Sequence, residues 1–227
     1  MRKAFEYFDK VFLINLDKRT DRLSRCMDIF QSNGVADLVE RFPGVVPDPS
    51  DDIPSTPGTE KIKIPLYGCL LSHLNIIKKA KENNWKSVLV FEDDVDFLNS
   101  EVIDHAVDQL SQRNWSLFYL GANTHTPLER VDKNLLRLKF GYATHAVAYH
   151  ENFYDAFISQ FEQKQIKIID VWLSEFGQEN FESFCTYPIT AVQVSNHSDI
   201  HDAFADYSWM ENKFKENTKH IQNDWYN

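Results

Sequence analysis

The stretch that decides the fold is SVLVFEDDVD, residues 87–96. Its first half is apolar and rich in strand-forming side chains, and polar residues flank it on both sides, which predicts a fully buried strand over 87–91. The strand runs directly into Glu92, Asp93 and Asp94, and Asp96 follows after one valine. Because open α/β sheets bind ligands at the carboxyl ends of their strands, this acidic turn is the first candidate for a functional site.

Strand-like and helix-like segments alternate on both sides of this stretch. The predicted strands are 11–16, 117–120, 135–140, 143–149 and 192–194, and the predicted helices begin after residue 20 and cover 67–83, 101–112, 153–163 and 170–176. A proline-rich loop is expected over 47–65. The alternation predicts an α/β fold, a Rossmann-like, mostly parallel sheet flanked by helices. We expect one domain over 1–227, with 200–227 as a helical C-terminal tail.

Composition excludes several classes of protein. The chain has 227 residues, 43% of them hydrophobic, and a formal net charge of −10. An acidic chain without a Lys/Arg cluster would repel a phosphate backbone, so nucleic acid is not an expected partner. Every stretch free of Lys, Arg, Asp and Glu, 64–77 among them, is shorter than the roughly 20 residues of a membrane span. Three cysteines cannot all pair, which favours a reducing compartment.

The acidic turn can be interpreted in two ways. Carboxylates this close repel one another unless a cation lies among them, and oxygen ligands suit Mg²⁺, Mn²⁺ or Ca²⁺. The alternative is a solvated acidic turn. An EF-hand does not fit, because Phe97 and Leu98 stand where its loop needs glycine.

The loop after the first strand offers Asn15, Asp17 and Arg22 just before a helix. A helix N-terminus favours phosphate, and a carboxylate can accept from a ribose or base, so the loop could hold a nucleotide. No glycine-rich phosphate loop is present. A surface turn with salt bridges is an equally good interpretation.

Three further segments carry candidate residues. In YGCLLSH, residues 67–73, Gly68 would let a ligand or another backbone approach closely, and His73 is interpreted as a hydrogen-bonded core histidine because it lies on the apolar face. Asp170 is a candidate base or the N-cap of a short helix. His197 and Asp199 could contact metal or phosphate, although Asp199 could equally be an N-cap.

Six segments taken in order resemble glycosyltransferase family 25, which includes lipooligosaccharide galactosyl- and glucosyltransferases and collagen hydroxylysine galactosyltransferases. They are VFLINLDKRTDR (11–22), YGCLLSH (67–73), VLVFEDDVDF (88–97), THAVAYHENFYDAF (144–157), DVWL (170–173) and YPITAVQVSNHSDI (187–200). The resemblance implies the GT-A type of fold, a UDP-sugar donor, Mn²⁺ or Mg²⁺, and inversion at the anomeric carbon.

The resemblance also implies a role for each candidate residue. Asp94 is the first metal ligand and His197 is a further ligand. Asp96 is also a candidate ligand, because Asp94-Val95-Asp96 forms a second acidic motif that overlaps the first. Asp170 is the catalytic base that activates the acceptor hydroxyl. The residues expected to bind the nucleotide sugar are Asn15, Asp17, Arg22, Tyr67, Gly68, Ser72, Glu92, Asp93 and Asp199.

Two other functions stay open, a haloacid dehalogenase-like phosphohydrolase, since Asp94-Val95-Asp96 also resembles its nucleophile motif, and a degenerate sugar-binding relative. The acceptor is a glycan, a lipooligosaccharide or a hydroxylysine-type hydroxyl, and no motif selects among them or between galactose and glucose. No signal peptide or ER-retention signal is readable, so a cytoplasmic location is expected, with contact to the inner face of a membrane left open.

Overall fold

The computed structural model describes residues 1–50, 52–54, 57–200 and 203–221. Its α-helices are α1 (Arg2–Tyr7), α2 (Thr20–Ser32), α3 (Lys63–Glu82), α4 (Ile103–Leu110), α5 (Glu151–Glu162), α6 (Ile169–Trp172), α7 (Gln178–Asn180) and α8 (Met210–Thr218). Two short 3-10 turns, Ala36–Leu38 and Ser100–Val102, and one π-helical turn, Leu173–Gly177, adjoin them. The strands are β1 (Lys10–Asn15), β2 (Val39–Pro43), β3 (Ser87–Glu92), β4 (Val95–Phe97), β5 (Leu117–Tyr119), β6 (Asn123–Thr124), β7 (Glu129–Asp132), β8 (Leu135–Arg137), β9 (Gly141–Tyr142), β10 (Ala146–His150), β11 (Ser183–Thr186), β12 (Ala191–Gln193), β13 (Asn196–Ser198) and β14 (Ala203–Ala205).

Eight strands form the central sheet, in the order β2-β1-β3-β10-β5-β11-β8-β7. Strands β1, β2, β3, β5, β7 and β11 run in one direction, and β8 and β10 run in the other. Six of the eight strands therefore share one direction, and the two reversed strands are β10 at the centre of the sheet and β8 next to the edge strand β7. The predicted α/β fold class is confirmed.

Both faces of the sheet are buried, which is why residues 88–91 of β3 are all apolar. Val88 and Val90 pack with α3, α5 and α6 on one face. Leu89 and Phe91 pack with α1, α2 and α4 on the other. All four side chains are fully buried, and burial of an aliphatic or aromatic side chain of this size contributes about 1.5–3 kcal/mol. A polar substitution in β3 would therefore be costly on either face.

The order of the first three strands creates a crevice. β1 lies between β2 and β3, and the helices that connect these strands lie on opposite faces, α2 on one and α3 on the other. The strand order reverses at β1, because the chain passes from β1 to β2 on one side and then returns to β3 on the other, and a ligand site typically lies at such a switch point. Asn15 ends β1 and Glu92 ends β3.

Three local expectations need correction. α3 begins at Lys63, inside the segment expected to be a loop, because Pro65 falls in the first helical turn, where its missing N–H needs no partner. The N-cap of α6 is Ile168 and Asp170 lies within the helix, so the N-cap expectation for Asp170 is wrong. β12 pairs with β4 in a separate two-stranded sheet rather than extending the central one.

The C-terminal segment contains the hairpin β13–β14 and helix α8. Residues 201–202 and 222–227 of the predicted helical tail lie outside the described residues. Within the described ranges, no helix combines the length and the apolar character needed to cross a membrane.

Candidate functional site

A cavity of about 380 Å³ opens at the carboxyl ends of β1 and β3. Its apolar wall comes from β1 and from the loop and helix start around Val45 and Pro65, and its polar wall comes from the acidic turn and the segment after β12. The polar residues that line it are Asn15, Lys18, Arg22, Ser72, Glu92, Asp93, Asp94, Gln193, Asn196, Ser198, Asp199 and Tyr207. A cavity with one apolar side and a few converging charged groups is typical of a small-molecule site.

The three carboxylates of the acidic turn have different environments. Asp93 is fixed from two sides, because it accepts from Asn15 Nδ2 at 2.8 Å and from Arg22 at 2.7 Å. Asn15 also donates to the carbonyl of Arg19 and accepts from Arg41. All the hydrogen-bonding atoms of the Asn15 side chain are thus engaged, and its role in this state is to fix the turn.

Asp94 is the carboxylate that is not fully satisfied. Its Oδ2 accepts from Gln193 at 3.0 Å, whereas its Oδ1 is buried without a hydrogen-bond donor among the described residues. Burial, followed by the negative charge of Glu92, raises the pKa of Asp94 to about 7. A buried oxygen of this kind costs free energy unless a proton or a cation satisfies it. Asp94 is therefore suited to hold a metal ion.

Glu92 is held in its ionised form. Burial acts against ionisation, yet the hydrogen bond from His73 at 3.2 Å, the charge of His73 and the hydroxyl of Thr144 lower the pKa of Glu92. His73 is completely buried, and its Nδ1 contacts the Tyr149 hydroxyl at 3.0 Å. The expectation that His73 is a hydrogen-bonded core residue is confirmed.

The same network contains a group that could hold a metal. One ligand atom each from Cys69, His73 and Glu92 lie within 4.8 Å of one another. Sulfur, imidazole and carboxylate ligands together suit Zn²⁺ better than Mg²⁺. Hydrogen bonding to Glu92 already accounts for this geometry, because His73 and Thr144 both contact the carboxylate.

A second cavity of about 170 Å³ adjoins the first and contains Asp170. The two cavities share Cys69, Glu92, Gln193, Ile200 and Tyr207. Burial, together with the charge of Glu92, raises the pKa of Asp170, although the backbone N–H of Val171 acts in the opposite direction. A carboxylate with a raised pKa accepts a proton more readily than an exposed one.

Gly68 and Ser72 act on the loop that walls the first cavity. A Cβ atom on Gly68 would lie 2.5 Å from the carbonyl oxygen of Val45, so only glycine allows this approach. Ser72 accepts from the Val45 backbone N–H at 2.9 Å and donates to the Gly68 carbonyl at 2.7 Å. The close approach expected at Gly68 is that of another backbone.

Four of the predicted site residues do not line either cavity. Asp17 is exposed and pairs with Arg41. Tyr67 stacks on Phe161 with ring centroids 6.4 Å apart. Asp96 accepts from the adjacent Phe97 N–H within β4, and His197 is exposed in β13 opposite Phe204, while its neighbours Asn196 and Ser198 line the cavity.

Sequence reasoning missed several lining residues. Gln193 and Asn196 lie within the segment 187–200 that resembles family 25. The resemblance of that segment could have pointed to them, whereas their residue types alone could not. Tyr207 borders both cavities although it lies in a stretch without a motif. Thr144 was also missed, because a single hydroxyl carries no spacing pattern.

Comparison with known families gives one match that covers most of the chain. Residues 8–171 match the family described as "Glycosyltransferase family 25 (LPS biosynthesis protein)". The matched range includes Asn15, Arg22, the acidic turn and Asp170, and it ends before Gln193.

Curated relatives match over shorter ranges. Human procollagen galactosyltransferase 2 is 29% identical over 131 residues, which cover 50% of this chain and 21% of that protein. Procollagen galactosyltransferase 1-B of Xenopus laevis is 31% identical over 138 residues, with the same two shares, 50% and 21%. The chain therefore spans about a fifth of the length of these relatives.

Solved structures resemble the chain at a low level. One is a crystal structure of a glycosyltransferase involved in the glycosylation of the major capsid of PBCV-1, with a TM-score of 0.46 and 10% identity over 78% of this chain and 79% of that one. Another is A197 from STIV, with a TM-score of 0.45 and 8% identity over 82% and 86%. Similarity at this level carries no functional argument.

Proposed function

Because the chain belongs to glycosyltransferase family 25, we propose that it transfers a hexose from a UDP-sugar to an acceptor hydroxyl with inversion at the anomeric carbon. Galactose is the first donor sugar to test, since the matched relatives are named galactosyltransferases. Glucose is the second. The unsatisfied oxygen of Asp94 in the cavity at the switch point is the observation that carries the proposal.

The donor is proposed to occupy the larger cavity. Its apolar wall suits a nucleobase, and Lys18 and Arg22 on the opposite wall suit phosphate oxygens. The fixed turn residues Asn15 and Asp93 keep Arg22 in place. Gly68 and Ser72 support the donor indirectly, through the loop at Val45.

The residues at the acidic turn fit a divalent metal ion, because Asp94 offers a buried carboxylate oxygen that lacks a donor. Asp94 is the proposed ligand, and ionised Glu92 adds negative charge close by. A bound Mn²⁺ or Mg²⁺ would stabilise the charge that develops on the leaving diphosphate. Asp96 and His197 are not included in the proposed ligand set, because neither lines the cavity.

Asp170 is proposed as the base. It lies in the smaller cavity next to the shared wall, where an acceptor hydroxyl would face the donor sugar. Its raised pKa suits a group that takes a proton from that hydroxyl as the new bond forms. Attack from the side opposite to the leaving diphosphate then inverts the anomeric carbon.

The acceptor is proposed to be a glycan, a lipooligosaccharide sugar or a hydroxylysine-type hydroxyl, and the reaction to take place in the cytoplasm, at the inner membrane face for a lipid-linked acceptor. The phosphohydrolase alternative needs both aspartates of Asp94-Val95-Asp96 at one site. Only Asp94 lines the cavity, so no observation favours that chemistry.

The test is thermal unfolding with UDP, UDP-galactose, UDP-glucose and GDP-mannose, each with and without Mn²⁺. Ligand at about 100 times its dissociation constant adds roughly 2.7 kcal/mol to the free energy of unfolding. We expect a uridine-specific, Mn²⁺-dependent stabilisation that Asp94→Asn abolishes. Asp108→Asn removes a charge at the surface, where Asp108 pairs with Lys3, and serves as the matched control.

Two outcomes would change the proposal. If stabilisation is lost in Asp96→Asn and retained in Asp94→Asn, the metal ligand is Asp96 rather than Asp94. No stabilisation by any nucleotide, with or without metal, would refute a nucleotide-sugar donor and favour the degenerate sugar-binding relative.

A further inference from the structure

Basic side chains at the start of α2 converge on one carboxylate. Lys18 Nζ lies 3.0 Å from Asp199 Oδ1, and Arg19 contacts Asp199 Oδ2. Arg22, one turn further along α2, lies 3.8 Å from the same oxygen. Lys18, Arg22 and Asp199 all line the larger cavity. The carboxylate thus occupies the centre of a cationic cluster on the wall of the site.

One donor group in this cluster, the Nε–H of Arg22, has no acceptor within the described structure. The terminal nitrogens of Arg22 donate to Asp93 at 2.7 Å, to the side-chain oxygen of Asn196 at 2.8 Å and to the carbonyl of His197 at 2.5 Å. Its Nε is buried and has no acceptor among the described residues, and the distance of 3.8 Å to Asp199 is too long for a hydrogen bond. The residue is only 9% exposed. A buried guanidinium N–H without an acceptor can donate to an anion that enters the cavity.

We propose that Lys18, Arg19 and Arg22 form the binding site for the diphosphate group of the donor, and that Asp199 occupies this site in the free protein and is displaced by the diphosphate. The inference rests on the proposed function, because it takes the diphosphate of a UDP-sugar as the ligand. Asp199 is then a competitor of the donor rather than one of its ligands.

Displacement of Asp199 requires little rearrangement. Lys18 is 69% exposed, so its ion pair with Asp199 contributes little, whereas the side chains of Arg19 and Asp199 are 17% and 20% exposed. A diphosphate brings more charge and more acceptor oxygens, so it forms stronger charge-assisted hydrogen bonds with guanidinium and ammonium groups. The positive end of the 13-residue helix α2 adds to the attraction.

The segment that carries Asp199 has other attachments that can persist. Val194 N–H donates to the carbonyl of Asp94 at 2.7 Å, and Arg22 holds Asn196. Only the carboxylate and its loop need to move. The wall of the cavity formed by Gln193 and Asn196 stays in place when the anion is exchanged.

The experiment is calorimetric binding of inorganic pyrophosphate and of UDP in the presence of EDTA, which removes the contribution of a metal. We expect Asp199→Asn to bind both ligands about three- to tenfold more tightly than the wild type, as expected for loss of a competing ion pair. We expect Lys18→Met to bind both more weakly by a similar factor. Asp37→Asn, which removes the exposed partner of Arg2, is the matched control and is expected to leave both affinities unchanged.

The signs of these changes separate the outcomes. Weaker or unchanged binding to Asp199→Asn overturns the inference, whatever the affinity of UDP for the wild type. A second comparison is between the two ligands. If UDP binds no more tightly than pyrophosphate in each variant, and both affinities rise in Asp199→Asn, the site recognises the phosphate groups alone. That result supports the inference and counts against a uridine donor. Circular dichroism checks that Asp199→Asn is folded. If it is not, Lys18→Met and Arg19→Gln decide, and unchanged affinities in both overturn the inference.

Discussion

Replacing Asp94 by Asn is expected to stabilise the metal-free protein at pH 8 and to abolish its stabilisation by a divalent metal. The carboxylate is buried, and one of its oxygens has no donor within the described structure. Asn keeps an oxygen that can accept from Gln193, but it carries no charge. The substitution therefore removes an unfavourable buried charge while the neighbouring contacts can persist.

The magnitude follows from the pKa of Asp94, which burial and the charge of Glu92 raise from 3.8 to about 7. Between these two values the folded protein holds a proton that the unfolded chain has released, so the folded state loses stability as the pH rises. A shift of about three pKa units corresponds to roughly 4 kcal/mol of unfolding free energy. Asp94→Asn lacks this pH-dependent loss.

Urea unfolding in EDTA at pH 4, 6 and 8 measures the effect. Wild type and Asp94→Asn should have similar free energies of unfolding at pH 4 and should diverge by up to roughly 4 kcal/mol at pH 8. Asp108→Asn should follow the wild type. A difference between Asp94→Asn and the wild type that is the same at pH 4 and pH 8 would refute the assignment of this titration to Asp94.

Three further changes test other parts of the molecule. Asp170→Asn should lower kcat by about 10²–10⁴-fold with unchanged affinity for the UDP-sugar, as for loss of a general base, and an unchanged kcat would exclude that role. Gly68→Ala should lower Tm and weaken UDP binding, because its Cβ would lie 2.5 Å from the Val45 carbonyl oxygen, and a wild-type Tm would contradict the close approach. Burial lowers the pKa of His145 to about 4, so between pH 6.5 and 4 the wild type should lose about 3 kcal/mol of unfolding free energy relative to His145→Gln, as the unfolded chain binds the proton. His145→Gln should not show this loss in urea unfolding, and equal pH profiles would contradict the titration.

The position of the site was accessible from the sequence because it depends on local patterns. An apolar run such as 88–91 predicts a strand by its length and residue types, and the polar residues that follow mark its carboxyl end. The same reasoning applies to the strand that ends at Asn15. In the structure these two strands are parallel neighbours, so the acidic turn and the Asn15 loop meet at one edge of the sheet.

The different environments of the three carboxylates in the acidic turn could not be predicted from the sequence. Glu92, Asp93 and Asp94 are consecutive and chemically alike. Hydrogen bonds from His73 and Thr144 favour the ionised form of the first, Arg22 fixes the second, and the third retains an oxygen without a donor among the described residues. Each difference comes from a partner on another element. Likewise Asp96, two residues beyond Asp94, is directed away from the cavity because β4 pairs with β12.

The sequence by itself determined the α/β alternation, the buried strand β3 and the edge of the sheet at which the carboxylates lie. Tertiary structure alone decided that Gln193 and Tyr207 complete the site, that Asp170 lies in an adjoining cavity, and that Asp199 neutralises Lys18 and Arg19. The physical reason is the distance along the chain over which each property is set. Periodicity and turn chemistry are properties of neighbouring residues, whereas burial, pKa and unsatisfied hydrogen bonds depend on partners such as Arg22 and Asp93, which are 71 residues apart.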